Sequence, residues 1–394
     1  MGQLISLFFI ICQGCAQVNL PASTQDVDPI RPGAWATEKY LPGLKDKRVA
    51  LVVNQTSTIG STHLADSLLR RGVNIVTIFA PEHGFRGTAE AGAHIDNGTD
   101  PVTGIKIISI YGSKKKPSPE DLQGIDVLMF DIQDVGVRFF TYISTLHYLM
   151  EAAAESGIPL IVLDRPNPNG HYIDGPVLDT TNFRSFVGMD AIPVVYGMTM
   201  GELAGMINGE QWISKPCQLT VIRCQGYDHT LPYTLPVKPS PNLPNQLSVL
   251  LYPGICFFEG TVASLGRGTE MPFQVAGHPD YPDHQFSFTP VSMESAVNPP
   301  LKGKLCYGVD LRHLSTDSLF HNRKLDLSVL LHFYSRMDTA TFFNAKWFDT
   351  LAGTTAFRKA IEASWSETQI RQSWQADLLK FNEKRKKYLL YKDF

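Results

Sequence analysis

The stretch VNIVTIFAPEHGFRG, residues 73–87, joins an apolar run to a loop that carries a carboxylate, an imidazole and a guanidinium within five positions. The run is rich in β-branched residues, as buried strands are. A loop that only reverses the chain can be built from Asn, Asp, Ser and Gly. A single loop of this kind is more often a solvated loop with a structural ion pair. Glu82, His83 and Arg86 become candidates for a functional site only if polar residues from other loops lie beside them.

Short apolar runs alternate with segments of helical periodicity on both sides of this stretch. The predicted strands are residues 48–55, 73–80, 105–112, 125–134 and 159–168, and the predicted helices are residues 61–72 and 141–157. Continuous apolar strands between amphipathic helices indicate a mainly parallel sheet that is buried on both faces. With right-handed crossovers, this predicts an α/β fold with a Rossmann-like layered domain. No Gly-x-Gly-x-x-Gly follows the first strand, so a classical NAD enzyme is not expected. No cofactor is expected for this chain.

The sequence changes character in its second half. Prolines are dense in residues 231–253, which predicts an ordered, extended connector, and glycines are closely spaced in residues 254–273. Short strands and a helical tail are expected from about Leu301, which indicates a smaller α+β C-terminal domain. The predicted division is a leader at residues 1–20, a Rossmann-like catalytic domain at residues 25–248 and an auxiliary domain at residues 249–394.

Composition limits the function classes. The chain has 394 residues, 43% of them hydrophobic, and a formal net charge of −3. This length exceeds one typical core, and the near-neutral balance argues against a nucleic-acid partner. Four cysteines lie beyond the leader without the spacing of a metal site. Buried free thiols are therefore expected at Cys217, Cys224, Cys256 and Cys306.

The N-terminal run LISLFFIICQGC, residues 4–15, has the length of a signal-peptide apolar region. Gly14 and Cys15 resemble the end of a bacterial lipoprotein signal, although no Lys or Arg precedes Arg31. We expect an exported protein that is periplasmic or lipid-anchored to the envelope through Cys15. No later stretch is long and apolar enough to predict a membrane span.

Polar clusters follow the predicted strands at their carboxyl ends. In parallel sheets these ends share one edge, where ligands bind. The clusters are Asn54 and Gln55; Glu82 and His83; Asp131, Gln133 and Asp134; and Asp164, Arg165 and Asn167. Four clusters on one edge predict a catalytic crevice.

Carboxylates, amides and arginines suit a sugar substrate with an anionic substituent. The chain lacks a Gly-x-Ser-x-Gly elbow, a Walker loop and an HExxH helix. Glycosidic cleavage needs one protonated carboxyl group and a second group at the anomeric carbon. Glu82 lies between Pro81 and Phe85, and we expect partial burial to raise its pKa and make it the general acid.

Several residues also have plainer interpretations. His94 and Asp96 are too few to predict a metal site. Asp164 and Arg165 are consistent with a structural ion pair. Glu202 is expected in the first turn of a helix, where an acid suits the dipole.

Long motifs in the expected order resemble the bacterial family of NamZ-type exo-β-N-acetylmuramidases. They are APEHGFRG, DIQDVGVRFFTYISTL, LDRPNPNG, YGMTMGELA, PSPNLP, YPGICFFEGT and SLGRGTEMPF. The similarity runs from about Arg48 to the closing KYLLY. It implies a cleft between the two domains and release of N-acetylmuramic acid from the non-reducing ends of peptidoglycan fragments.

The resemblance also implies site residues. Glu82 matches the motif of the proposed catalytic glutamate, whereas Asp131, Asp134, Glu259 and the substrate's own acetamido group remain alternatives for the second group. The candidate catalytic residues are Glu82, His83 and Asp131. The candidate substrate-binding residues are Asn54, Arg86, Gln133, Asp134, Arg138, Tyr142, Asp164, Arg165, Asn167, Asn242, Glu259 and Arg267. Another cell-wall hydrolase, an esterase or amidase, and a non-catalytic glycan-binding protein are the alternative functions.

N-acetylmuramic acid differs from N-acetylglucosamine by a lactyl ether whose carboxylate is ionised at neutral pH. Selectivity for it therefore requires a cationic or strongly donating group. Arg138, Arg165 and Arg267 are the candidates, and Arg138 is favoured because it lies close to the start of a predicted helix, which can itself attract an anion.

Overall fold

The computed structural model describes residues 29–86 and 97–394. Its strands are β1 (Arg48–Val53), β2 (Thr58–Ile59), β3 (Thr62–His63), β4 (Asn74–Ala80), β5 (Gly98–Thr99), β6 (Lys106–Ser109), β7 (Val127–Asp131), β8 (Leu160–Leu163), β9 (Leu219–Ile222), β10 (Val275–His278), β11 (Ser287–Phe288) and β12 (Cys306–Asp310). Its α-helices are α1 (Thr37–Leu44), α2 (Leu64–Leu69), α3 (Tyr142–Ser156), α4 (Met200–Gly209), α5 (Gln246–Ile255), α6 (Thr316–Asn322), α7 (Ser328–Arg336), α8 (Ala345–Ala352), α9 (Ala356–Glu362) and α10 (Glu367–Arg385). Short 3-10 helices span Gly33–Trp35 and Cys256–Gly260.

The first part of the chain is organised around one mainly parallel sheet. Within the described residues, seven strands pair in the order β5-β6-β4-β1-β7-β8-β9. Neighbouring strands are parallel except for β5 and β6. The strand order reverses at β1, which has β4 on one side and β7 on the other. The predicted Rossmann-like α/β layer is confirmed.

Helices cover both faces of this sheet, and β1 shows why. Val49, Leu51 and Val53 pack in one buried cluster with α1 and α2, whereas Ala50 and Val52 belong to a second cluster with α3 and α4. Successive residues of a strand point to opposite faces. A strand that is apolar at every position therefore needs cover on both sides.

The C-terminal part combines a small antiparallel sheet, in the order β10-β12-β11, with α6 to α10. The second buried cluster continues into it through Phe257, Phe333 and Phe348. The smaller α+β part is thus confirmed. The boundary between residues 248 and 249 stays a prediction, since one buried cluster runs through both sides of it.

One predicted helix begins later than expected. It was expected from Ser61 but begins at Leu64, because β2 and β3 pair as a short ladder ahead of it. His63 caps this helix, and its Nδ1 accepts the Ala65 N–H at 3.2 Å. The predicted glycine end of α3 is present, since Gly157 adopts the left-handed conformation with φ 67°.

The connector predicted to be extended at residues 231–253 is partly helical, because α5 begins within it. Asn245 and Ser248 form a reciprocal capping box, and Oδ1 of Asn245 accepts the Ser248 N–H at 2.9 Å. Pro253 lies inside this helix. Proline normally disfavours a helix interior, so proline density alone gives the wrong structure where a capped, buried helix packs into the core.

Candidate active site

A cavity of about 700 Å³ lies where the loops after β4 and β6 and the start of α3 face the C-terminal part. Its lining includes Glu82, His83, Tyr111, Lys115, Thr141, Tyr142 and Phe186 from the first part and Tyr252, Glu259, Arg267, Phe273 and Trp347 from the second. Glu82 and Glu259 are the only acids among the described residues of this lining. Many other lining residues are aromatic, so the cavity combines apolar walls with a few charged groups, as ligand sites usually do.

Glu82 follows β4, and its carboxyl group binds two hydroxyl groups at the cavity. Tyr111 donates to Oε1 at 2.8 Å, and Thr141 donates to Oε2 at 2.6 Å. Tyr111 comes from the loop after β6 and Thr141 from the start of α3, so two elements orient one carboxyl group. A hydroxyl group can both donate and accept. These partners can therefore serve Glu82 in its protonated and its ionised form.

His83, beside Glu82, has a left-handed backbone with φ 68°. This conformation is uncommon for a residue with a side chain, and it persists where the surrounding structure enforces it. The imidazole is buried, and its Nε2 lies 3.2 Å from Oγ of Ser240, which also lines the cavity. The turn after β4 thus holds both His83 and Glu82 at the cavity wall.

Glu259 and Arg267 form an ion pair on the cavity wall contributed by the second part. Nη2 of Arg267 lies 2.7 Å from Oε1 of Glu259, and the guanidinium carbon lies 5.0 Å from the centre of the Phe273 ring. Burial opposes the charge on Arg267, but the Glu259 carboxylate outweighs it and raises the pKa of Arg267. Gly266 and Gly268, with φ values of 85° and 79°, allow the tight loop around Arg267.

Tyr142 lies in the first turn of α3, and its hydroxyl lies 3.4 Å from the backbone oxygens of both Glu82 and Pro239. Burial raises the pKa of Tyr142 far above its usual value, so the hydroxyl is a neutral donor. The predicted site residues that line the cavity are Glu82, His83, Tyr142, Glu259 and Arg267.

Asp131, a candidate catalytic residue, does not line the cavity and is fully buried at the end of β7. Arg165 holds both of its oxygens, with Nε 2.5 Å from Oδ1 and Nη2 2.9 Å from Oδ2. The predicted substrate role of Arg165 is corrected to a structural one, and its partner is Asp131 on the neighbouring strand rather than the alternative, Asp164. This buried pair ties β7 to the loop after β8.

Asp164 is also buried and contacts the chain's own C-terminal segment. It accepts hydrogen bonds from the hydroxyl groups of Tyr391 at 2.6 Å and Thr199 at 2.7 Å and from the Gly201 N–H at 2.8 Å. Burial raises the pKa of Asp164 to about 6. The predicted substrate role of Asp164 is corrected, because protein groups occupy its oxygens.

Asp134 and Gln133 form a further buried network outside the cavity lining. Oδ2 of Asp134 accepts from the Tyr196 hydroxyl and the Gly136 N–H, each at 2.5 Å. Burial raises the pKa of Asp134 to about 7. Nε2 of Gln133 donates to the Asp134 and Pro166 carbonyls at 2.8 and 2.7 Å. Both residues stabilise loops rather than contact the cavity.

Three predicted asparagines serve the backbone, and none lines the cavity. Oδ1 of Asn54 accepts the N–H two residues further on at 2.9 Å. Nδ2 of Asn167 donates to the Met198 carbonyl, and Nδ2 of Asn242 donates to the Ser295 carbonyl, both at 2.8 Å. Their predicted contacts with substrate are therefore corrected to structural contacts.

Like Arg165, the predicted arginines Arg86 and Arg138 lie outside the cavity lining. Nη2 of Arg86 lies 3.2 Å from both oxygens of Asp100. Arg138, the favoured partner of the lactyl carboxylate, is fully buried, and burial lowers its pKa to about 9. Its two terminal nitrogens donate, at 2.7 to 2.9 Å, to the carbonyls of Pro176, Ile192, Leu351 and Ala352. Arg138 therefore stabilises the fold.

Several lining residues were not singled out by the sequence. Tyr111 stands at the end of the predicted strand at residues 105–112, so the strand-end signal that identified Glu82 was available for it. Phe186, Tyr252 and Trp347 come from distant segments without such a signal, because only the packing of the two parts brings them together.

Two earlier candidates, His94 and Asp96, lie outside the described residues, as does Cys15. Within residues 29–86 and 97–394 there is no cluster of three His, Cys, Asp or Glu residues suited to a metal ion. In the same ranges, no helix has both the length and the apolar character needed to cross a membrane. The expected free, buried thiols are present at Cys217, Cys224, Cys256 and Cys306.

Two glutamates in one cavity supply the pair of carboxyl groups that most glycosidases use. Comparison of the sequence with protein families leads to the same class of enzyme. Residues 49–247 match the N-terminal model of the exo-β-N-acetylmuramidase NamZ, and residues 250–391 match its C-terminal model. This chain belongs to the NamZ family.

Individual relatives agree with this assignment. The chain is 39% identical over 374 residues to the peptidoglycan β-N-acetylmuramidase NamZ of Bacillus subtilis strain 168, covering 89% of each chain. Two crystal structures of DUF1343 family proteins from Bacteroides fragilis NCTC 9343 are similar. One has 46% identity and a TM-score of 0.86, covering 93% of this chain and 100% of the other. The second has 30% identity and a TM-score of 0.80, and the match covers 92% of this chain and 99% of the other.

Proposed function

We propose that this protein is an exo-acting β-N-acetylmuramidase that releases N-acetylmuramic acid from the non-reducing ends of peptidoglycan fragments. The observation that carries the proposal is that Glu82 and Glu259 both line one largely apolar cavity. Membership of the NamZ family and the similarity to the Bacillus subtilis enzyme support the same substrate class.

Glu82 is the general acid in this proposal. Its carboxyl group donates a proton to the glycosidic oxygen as the bond to the anomeric carbon breaks. The hydroxyl groups of Tyr111 and Thr141 orient the carboxyl oxygens and remain bound after the proton has left. Orientation of this kind contributes to catalysis because the reacting atoms must meet within hydrogen-bond distance.

Glu259 is the second carboxylate of the cavity, and it is paired with Arg267 at 2.7 Å. A carboxylate beside the anomeric carbon stabilises the positive charge that develops there, activates water or forms a covalent intermediate. The substrate's acetamido group is the alternative to Glu259 in this step. Glu259→Gln distinguishes the two, because activity survives this change if the acetamido group acts.

The direct test uses a chromogenic β-glycoside of N-acetylmuramic acid and the purified protein. Release of the chromophore supports the glycosidase. Binding of the sugar without release favours a non-catalytic glycan-binding protein. Absence of both binding and release contradicts the proposal.

One contact favours an esterase or amidase as the second candidate. Oγ of Ser240 lies 3.2 Å from Nε2 of His83, and both residues line the cavity. A hydroxyl group beside an imidazole is the arrangement of an activated nucleophile and its base. Ser240→Ala would abolish ester or amide hydrolysis, whereas acid catalysis by Glu82 would retain most of its rate.

We also propose that the chain is exported and anchored through a lipid on Cys15. The support is the apolar run at residues 4–15 that ends in Gly14 and Cys15. Expression of the whole chain in a bacterial host with a labelled fatty acid tests this. Label on the wild type and its loss in Cys15→Ser are expected, and an unlabelled wild type would contradict the anchor.

A further inference from the structure

Lys115 differs from Arg267, the other Lys or Arg side chain of the described cavity lining. Arg267 is paired with Glu259, whereas Lys115 has neither an ion pair nor a hydrogen bond to any described residue. Its side chain is half-buried, and its Nζ lies 5.0 Å from the centre of the Phe186 ring. Such a contact favours a cation and leaves its hydrogen-bond donors available. Lys115 therefore presents an uncompensated positive charge at the cavity.

The two neighbouring lysines are bound to acids of the protein. Lys114 pairs with Asp121. Lys116 lies 3.1 Å from Glu151 and 2.7 Å from Glu155. Neither lines the cavity. Of the three lysines at residues 114–116, Lys115 therefore lines the cavity, whereas Lys114 and Lys116 form ion pairs with acids of the protein.

Aromatic contacts connect Lys115 with the acid end of the cavity. The Phe186 ring stacks on Tyr148, with centres 6.3 Å apart, and lies 5.9 Å from the ring of Tyr111. Tyr111 in turn donates to Glu82. Lys115 and Glu82, the proposed general acid, therefore belong to the same wall of the cavity. The sugar that is released must lie beside this wall.

We propose that Lys115 binds the lactyl carboxylate of N-acetylmuramic acid and so determines selectivity over N-acetylglucosamine. The inference rests on the proposed function. A carboxylate that enters a largely apolar cavity loses hydration and needs an opposite charge. Arg138 and Arg165 are bound within the fold, and Arg267 is neutralised by Glu259. The lactyl group also lies away from the bond that breaks, so its contact is the same before and during the reaction.

The test compares Lys115→Met with Lys116→Met, a matched change at a neighbouring lysine outside the cavity lining. Each is assayed on chromogenic glycosides of N-acetylmuramic acid, of its lactyl methyl ester and of N-acetylglucosamine. We expect Lys115→Met to lose about ten- to a hundredfold in kcat/KM on the free acid alone, mainly through KM. Lys116→Met should match the wild type, and Lys115→Arg should recover part of the loss.

Equal loss on the acid and the ester, or no loss on either, would overturn the role of Lys115. Calorimetry of free N-acetylmuramic acid with a Glu82→Gln protein gives a readout that does not need turnover. If the double variant Glu82→Gln/Lys115→Met binds N-acetylmuramic acid more weakly than Glu82→Gln does, the inference is supported. Equal affinity of the two proteins contradicts it. A wild type that binds this sugar but hydrolyses none of the glycosides would refute the proposed function while the binding comparison still tests Lys115.

Discussion

The phenol of Tyr111 donates to Oε1 of Glu82 across 29 positions of the chain at 2.8 Å. These residues follow β6 and β4, which are neighbouring strands of the sheet. Adjacent parallel strands thus bring the acid and its donor to the same edge. The start of α3, which follows β7, completes this edge through Thr141, so the cavity lies on the carboxyl side of the sheet, where open α/β sheets usually bind ligands.

Replacement of Glu82 by Gln should preserve the fold and reduce kcat on the muramic-acid glycoside by about a hundredfold or more, because an amide is not an effective proton donor. Steady-state kinetics and the melting temperature measure the two effects. Glu120→Gln, an exposed change outside the cavity lining, is the matched control and should retain full activity. A folded Glu82→Gln protein with wild-type kcat would remove Glu82 from the mechanism.

A substitution that breaks the ion pair between Asp131 and Arg165 should destabilise the protein but leave the proposed general acid, Glu82, in place. Loss of one partner leaves the other charge buried, which costs about 3–5 kcal/mol in unfolding free energy. Arg165→Met should therefore lower the melting temperature more than the double variant Asp131→Asn/Arg165→Met. Kinetics below the melting temperature should show Asp131→Asn within a few-fold of the wild-type kcat. Complete loss of kcat in a folded Asp131→Asn protein would restore Asp131 as a catalytic residue.

Replacement of Arg138 by Met should act on stability and leave substrate preference unchanged. The change removes the donors to four buried carbonyl groups, and even one such group left unsatisfied costs about 1–3 kcal/mol. A clear fall in melting temperature is expected. The ratio of kcat/KM for the muramic-acid and N-acetylglucosamine glycosides should stay constant in the folded fraction. A selective loss on the acidic sugar would show that Arg138 contacts substrate.

Asp134 should make folding less favourable as pH rises. Burial raises its pKa in the folded state to about 7, whereas the usual value is 3.8. Its contribution to stability is full below about pH 4 and is lost as pH rises through about 7, because the folded state binds the proton more tightly. Between pH 5 and pH 8, the melting temperature of the wild type should fall relative to that of Asp134→Asn. A constant difference between the two proteins would contradict a buried, titrating Asp134.

The cavity shows where sequence reasoning succeeded and where it failed. The strand-end rule identified Glu82 and His83, and the family motifs identified Tyr142, Glu259 and Arg267. Lys115 carries no such signal, because a basic run beside prolines usually lies in solvent. Only the positions of Asp121, Glu151 and Glu155 show which two of the three lysines are already paired.

The layered sheet and the acid-bearing loop after β4 can be predicted from the order of residues alone, because strand periodicity and strand ends are local features. Asp131 and Asp164 occupy the same kind of strand end as Glu82, so their sequence pattern is the same. The tertiary structure alone decided that Arg165 binds Asp131 and that Tyr391, 227 positions from Asp164, binds Asp164. The C-terminal part likewise decided where the cavity forms, because a wall made by distant segments exists only after they pack together.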